Sequence, residues 1–277
     1  MQEIESKPLS KIITYLILIF AVFVSLFPFY FMFVSSTHTS SDILSVPPKL
    51  MLGLNLLNNY NKLNDEINVG RIFFNSIFIS VTYTILTLLL DSITGYVLAK
   101  FDFKGKTLFF GFILATLMIP NQVLLVPLFS MMNKIGWANS YQAVILPSLA
   151  NAFGIFLMRQ NMLAFPTSLI EAARIDGYGE LSIFFKVVLP TMKPALGALG
   201  IYMFMSQWNN FMWPLIILST KDMYTFPVAL ASLNGLQRKD FGMIMLGATI
   251  ATIPIMIIFL LFQKQFISGI LEGSLKD

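Results

Sequence analysis

Long uncharged runs, each long enough to cross a bilayer, recur along this chain and are separated by short segments that hold nearly all of its charge. A helix rising 1.5 Å per residue needs roughly 20 residues to cross about 30 Å of hydrocarbon. Five runs reach that length without an Asp, Glu, Lys or Arg: Ile12–Val34, Thr107–Asn133, Ile135–Met158, Pro194–Thr220 and Phe241–Gln263. A sixth, Ile72–Leu98, is interrupted only by Asp91. The pattern predicts an all-α integral membrane protein with six transmembrane helices. Composition agrees, since only 12% of residues are charged and mean hydropathy is +0.76, whereas a soluble domain carries roughly 25% charged residues. The first run is too long for a signal-peptide core and no small-residue cleavage site follows it, so it reads as a retained span.

Charge sets the expected orientation through the excess of Lys and Arg on the cytoplasmic side. With the N-terminus inside, inner segments hold Lys7, Lys11, Lys100, Lys104, Lys106, Arg159, Arg174, Lys186, Lys193, Lys264 and Lys276. Outer segments hold Lys49, Lys62, Arg71, Lys134, Lys221, Arg238 and Lys239. The count of eleven against seven accounts for all 18 and puts both termini in the cytoplasm of a multi-pass cell-membrane protein. The expected layout is a tail over 1–11, a first span over 12–34, an outer loop over 35–71, a core over 72–264 and a tail over 265–277. Within the core, the inner loop 159–193 is far longer than a helix hairpin needs, and long ordered loops are usually functional.

Several chemistries are excluded. With no cysteine there is no thiolate metal site or nucleophile, and with His38 as the single histidine there is no paired-histidine zinc site. The net charge of +4 does not point to nucleic acid, because the basic residues lie between apolar runs rather than in a block. Gly105-Lys106-Thr107 echoes the end of a phosphate-binding loop, but Lys100 stands where the earlier glycine is required. No cofactor site is expected in this chain. An intramembrane hydrolase lacks its nucleophile and base; a secondary transporter or channel remains the rival on composition alone.

The long inner loop predicts two short helices with a hinge. Ser168 and Glu171 have capping-box spacing, Gly177 suits a left-handed helix end, and an apolar helix from about Glu180 is expected to stop at Pro190. Glu171-Ala172-Ala173, three residues, Gly177, nine residues, then Val187-Val-Leu189-Pro190 resembles the EAA loop of permease subunits of type I ATP-binding-cassette importers, with Val187 in place of the usual Ile. The likeness extends from about Arg71 to the C-terminus. Phe74-Asn75-Ser76, Tyr96 through Lys106, Ile119-Pro120, Gln207-Trp208-Asn209-Asn210 and Phe226-Pro227-Val228 are similar to the sugar-transporting, MalG-type branch.

That resemblance implies the type I importer permease fold with a cytoplasmic coupling helix that docks on an ATPase. It implies Glu171, Ala172 and Ala173 on the docking helix, Gly177 shaping its turn, and Arg174 and Asp176 as polar contacts. A structural role for Glu171, capping its own helix, stands beside that reading. The implied partners are a homologous second permease, a cytoplasmic ATPase dimer that binds ATP and magnesium, an extracytoplasmic solute-binding protein and the lipid bilayer around the permease; the chain itself would be non-catalytic.

Polar residues inside spans are costly unless paired. Gln207, Asn209 and Asn210 fall mid-span beside Trp208, with Gln207 and Asn210 on one face. They suit either a sugar path or helix–helix hydrogen bonds. Asp91 is expected to reach cytoplasmic water or pair with a neighbouring helix, and His38 to be solvated. Pro120, Pro127, Pro147, Pro214 and Pro254 are expected to kink spans.

Overall fold

The computed structural model describes residues 8–235 and 239–274. Lys7, Arg238 and Lys276 from the orientation count lie outside the described residues, as do residues 1–7 and 275–277 of the two tails and the side chain of Lys264. The helices are α1 (Pro8–Ser35), α2 (Ser40–Ile43), α3 (Leu56–Ile67), α4 (Val69–Lys100), α5 (Lys106–Thr116), α6 (Asn121–Lys134), α7 (Tyr141–Ile145), α8 (Ala152–Leu163), α9 (Thr167–Ile175), α10 (Glu180–Ile183), α11 (Lys193–Trp208), α12 (Met212–Ile217), α13 (Phe226–Leu233) and α14 (Phe241–Ser274). There is no strand among the described residues.

Four helical segments are long and apolar enough to span singly: Lys11–Ser35, Val69–Lys100, Glu180–Ile217 and Phe241–Gln263. The remaining two expected spans are broken. α5 and α6 meet at 96°, and α7 with its following turn meets α8 at 47°. Pro120 lies at the sharper break, extended at φ −63° and ψ 129°, as expected of a residue with a fixed φ and no N–H. Pro127 and Pro254, by contrast, lie inside helices that continue past them.

The chain divides into two compact units, one of residues 1–68 and 232–253, the other of 69–231 and 254–277. In the first, α1 keeps its apolar length exposed to its surroundings. The stretch after α1, expected as a plain outer loop, is a folded cap. Asn59 is fully buried and donates to Ser36 O at 2.8 Å and His38 O at 2.9 Å. Lys62 pairs with Asp240 at 2.7 Å, and Ser40 donates to the same carboxylate. His38 is buried rather than solvated. Its Nε2 donates to Met51 O at 2.8 Å, because α1 ends beneath it and the 50–53 segment folds over the ring.

In the second unit α4 packs against α8 and α11 through a buried face that holds its polar side chains beside Ile72, Ile79, Tyr83 and Leu98. Asn75, Ser76, Ser80, Thr87, Asp91, Ser92 and Gly95 are buried, while Phe74, Phe78, Val81, Ile85 and Leu89 are exposed. In lipid an apolar surface has no reason to hide, whereas small polar side chains let helix backbones approach and pair. Gly95 shows the approach: a Cβ there would lie 2.9 Å from both the Arg159 nitrogen and Met158 Cβ of α8.

Candidate functional site

The long inner loop folds into an elbow. α9 starts at Thr167 with Pro166 extended before it and no side-chain cap. The expected capping box is therefore absent, because Ser168 already lies inside the first turn instead of flanking it. The other end is closed as expected by Gly177 at φ +83°. Gly177 N–H donates to Arg174 O and Tyr178 N–H to Ala173 O, both at 3.0 Å, which satisfies two carbonyls that the helix end would leave free. Arg174 then forks onto Glu180 at 2.6 and 3.2 Å, and that bond pushes the guanidinium pKa further up. Glu180 was not singled out in the sequence, although opposite charges flanking a Gly turn are a legible signal.

The elbow has an inner and an outer face. Ile170 and Ala173 are buried in the core of the unit, with Phe184 and Tyr96. Glu171, Ala172, Arg174, Asp176 and Gly177 are exposed, together with Leu169 and Ile175. Of the two alanines in the motif, only Ala172 lies on the open face. Lys100 at the end of α4 donates to Phe165 O at 2.5 Å, tying the elbow's entry to that span.

Pro190 does not stop the second helix. From α10 the chain passes through a π turn over Phe184–Val188 and a 3-10 turn over Leu189–Met192 directly into α11. Leu189 N–H reaches back five residues to Phe184 O, and Thr191 Oγ1 donates to Val188 O at 2.7 Å. This wider turn makes room for the proline ring. The elbow is thus continuous with a helical path from Glu180 to the end of α11 at Trp208.

That path breaks where the amides lie. Gln207, Asn209 and Asn210, expected inside one helix, sit at the junction of α11 and α12. Asn209 caps α11, with its N–H and its Nδ2 both donating to Met205 O at 3.0 and 2.9 Å. An amide side chain that competes for the backbone in this way favours ending a helix. Asn210 Nδ2 faces Gln207 Oε1 at 3.4 Å. Gln207 is buried, and its Nε2 finds no partner among the described residues. Trp208 is packed among Phe73, Phe204 and Phe226 at 5.9 to 6.4 Å between ring centroids, so its faces are already used.

Asp91 does not reach water. It is fully buried and accepts the Asn151 N–H at 3.1 Å, at the start of α8. Asn151 Oδ1 in turn accepts Gly154 N–H, and a Cβ at Gly154 would collide with Asp91 Oδ2. The acid thus seats against the positive end of a half-length helix, which is the pairing with a neighbouring helix that its sequence position allowed.

Residues 91–271 match the family described as binding-protein-dependent transport system inner membrane component. The chain belongs to this family. It is a permease subunit and a multi-pass inner-membrane protein. An arabinooligosaccharides transport system permease of Halalkalibacterium halodurans is 37% identical, covering 96% of this chain and 98% of that protein. A lactose transport system permease of Rhizobium radiobacter is 38% identical over 98% of each chain. An sn-glycerol-3-phosphate transport system permease of Brucella abortus is 30% identical over 97% of this permease and 99% of its own length. A chain in the crystal structure of a bacterial ABC transporter that imports the acidic polysaccharide alginate superposes with a TM-score of 0.80. It covers 96% of the permease and 99% of that chain at 23% identity, and so shows a shared fold.

Proposed function

We propose that this permease carries a sugar or oligosaccharide through an ATP-driven importer, forming half of the translocation path. A homologous second permease supplies the other half, and an extracytoplasmic solute-binding protein delivers the substrate. A dimer of cassette ATPases binds ATP and magnesium and docks on the exposed face of α9 through Glu171, Ala172, Arg174, Asp176 and Gly177. Ala173 fixes that helix from behind. Both termini lie in the cytoplasm in this reading, with tails before about residue 12 and after the last span.

The observation that carries the proposal is the stiff elbow built onto an unbroken helical path. The left-handed Gly177 turn and the Arg174–Glu180 fork hold α9 against α10, and α10 runs on into α11 without a hinge. A displacement of α9 therefore moves the far end of that path, where Gln207, Asn209 and Asn210 sit. A buried amide with a free donor at a helix break suits exchange of hydrogen bonds with a sugar hydroxyl. The oligosaccharide and lactose permeases among the relatives support the substrate class. A ligand shifts an alternating-access equilibrium only through its different affinity for the two states, and α9 is where ATP binding by the partner would act.

The test is reconstitution of the permease with its partner subunits in vesicles. ATP-dependent uptake of an oligosaccharide, lost in Gly177→Asp although the subunit still inserts, supports the reading. Uptake by the permease alone without ATP would overturn it.

A further inference from the structure

We infer that residues 46–54 form an interfacial segment embedded in the lipid at the Ser35 end of α1, beside the span rather than above it. The inference does not depend on the importer reading. Val46, Leu50, Met51, Leu52 and Leu54 are all exposed, Val46 at 96% and Met51 at 85%. Between Asp42 and Lys62 the only charged residue is Lys49, and it is paired with Asp42 at 2.5 Å. A solvated stretch of that length would carry several charges, at roughly one residue in four.

Depth comes from one hydrogen bond. Tyr30 Oη, on α1, donates to Leu50 O at 2.6 Å. About 20 residues of helix cross the hydrocarbon, and counted from Ile12 they end near Phe31. Tyr30 thus lies at the hydrocarbon boundary, where tyrosine is favoured, and Leu50 lies level with it.

The backbone groups that pair turn toward α1 and the aliphatic side chains turn away from it, which favours lipid as the occupant, since lipid tails offer nothing to an open N–H or C=O. Four backbone groups of residues 50–55 are satisfied from within. Leu50 O takes Tyr30, and Met51 O takes His38 Nε2 at 2.8 Å. Gly53 N–H donates to Thr37 Oγ1 at 2.8 Å and Asn55 N–H to Thr37 O at 2.9 Å. All these donors and acceptors belong to α1 or the residues just after it. Gly53 is needed for the fit, because a Cβ there would lie 2.5 Å from Thr37 O and 2.7 Å from His38 Nδ1. Polar groups turned inward and large aliphatic side chains turned outward are what an interfacial anchor requires.

The chain has no cysteine, so single nitroxide labels can be placed in the assembled transporter in vesicles at Met51→Cys and Leu54→Cys, with Asn61→Cys on α3 as an aqueous reference. Collision with oxygen several-fold above collision with a water-soluble nickel chelate at 51 and 54, and the reverse at 61, is the expected result. Chelate access at 51 and 54 equal to that at 61 would show a water-facing loop. Low access to both reagents would show a protein partner over the segment. Either outcome overturns the inference.

Discussion

Ser76 Oγ accepts the backbone N–H of Phe226 at 2.7 Å, joining the start of α4 to the start of α13 across 150 residues of sequence. Asn75 beside it donates Nδ2 to Asp222 O at 2.8 Å and Tyr224 O at 3.0 Å, and accepts Tyr141 Oη at 2.7 Å. The Phe74-Asn75-Ser76 and Phe226-Pro227-Val228 motifs, separate in the sequence, are two halves of one buried clamp. Ser76→Ala leaves the Phe226 N–H without its acceptor, at a cost of about 1–3 kcal/mol. Asn75→Ala removes three bonds and costs more. A fall in the thermal midpoint in detergent, larger for Asn75→Ala than for Ser76→Ala, is the expected result; equal midpoints for wild type and both variants would mean that the clamp does not hold the loop.

The sequence made the spans and the elbow legible because both rest on local signals. Five charge-free runs and a sixth broken only by Asp91 marked the spans, and the spacing around Gly177 marked the turn. What stayed hidden depends on contacts distant in sequence or on register. No local pattern says that Asp91 faces Asn151, 60 residues away, or that residues 50–53 fold over His38. Pro190 misled because its ring ordinarily breaks an α-helix, and only the π turn before it removes the clash. Ser168 misled because α9, capped at Pro166, starts two residues sooner than a Ser168 capping box requires.

Gly177 and Arg174 separate the shape of the elbow from its charge. Gly177→Ala places a Cβ on a residue at φ +83°, which costs about 1–2 kcal/mol in left-handed backbone. Arg174→Ala removes a solvent-exposed pair with Glu180, and such pairs contribute little because water and salt screen them. Gly177→Ala should therefore lower the melting midpoint more than Arg174→Ala. Recovery of ATPase with the tagged permease should fall in both, because each loosens α9, the helix proposed to dock on the ATPase. Normal recovery with Gly177→Ala would break the link between turn geometry and docking.

Gly154 and Asp91 compete for one space. Gly154→Ala forces its methyl against Asp91 Oδ2, and overpacking of this kind costs about 1–3 kcal/mol. Shortening the acid in Asp91→Ala vacates that space but leaves the Asn151 N–H unpaired. The double variant should be more stable than the sum of the two single losses predicts, by about 0.5–3 kcal/mol for residues in contact. Strictly additive melting shifts would show that the two side chains do not meet.

The cap over the end of α1 should loosen in acid. Bonds from Lys49 and Thr39 hold the Asp42 carboxyl at about 2, below its ordinary 3.8, against an upward push from desolvation. At Asp240 burial pushes upward, but Lys62, the Met243 N–H and Ser40 outweigh it and the net shift is downward. A carboxyl depressed in the folded state contributes stability that is fully present above its unfolded value and is lost as pH falls through the folded value. The contribution of Asp42 is therefore present above about pH 4 and fades toward pH 2. Thermal midpoints of wild type and Asp42→Asn, measured in detergent at intervals across that window, isolate this carboxyl from every other one. Their difference should shrink steadily as pH falls, and high salt should reduce it at the upper end because the Lys49 pair is exposed to screening. A difference that stayed constant from pH 4 to pH 2 would mean that Asp42 holds the cap by its shape and not by its charge.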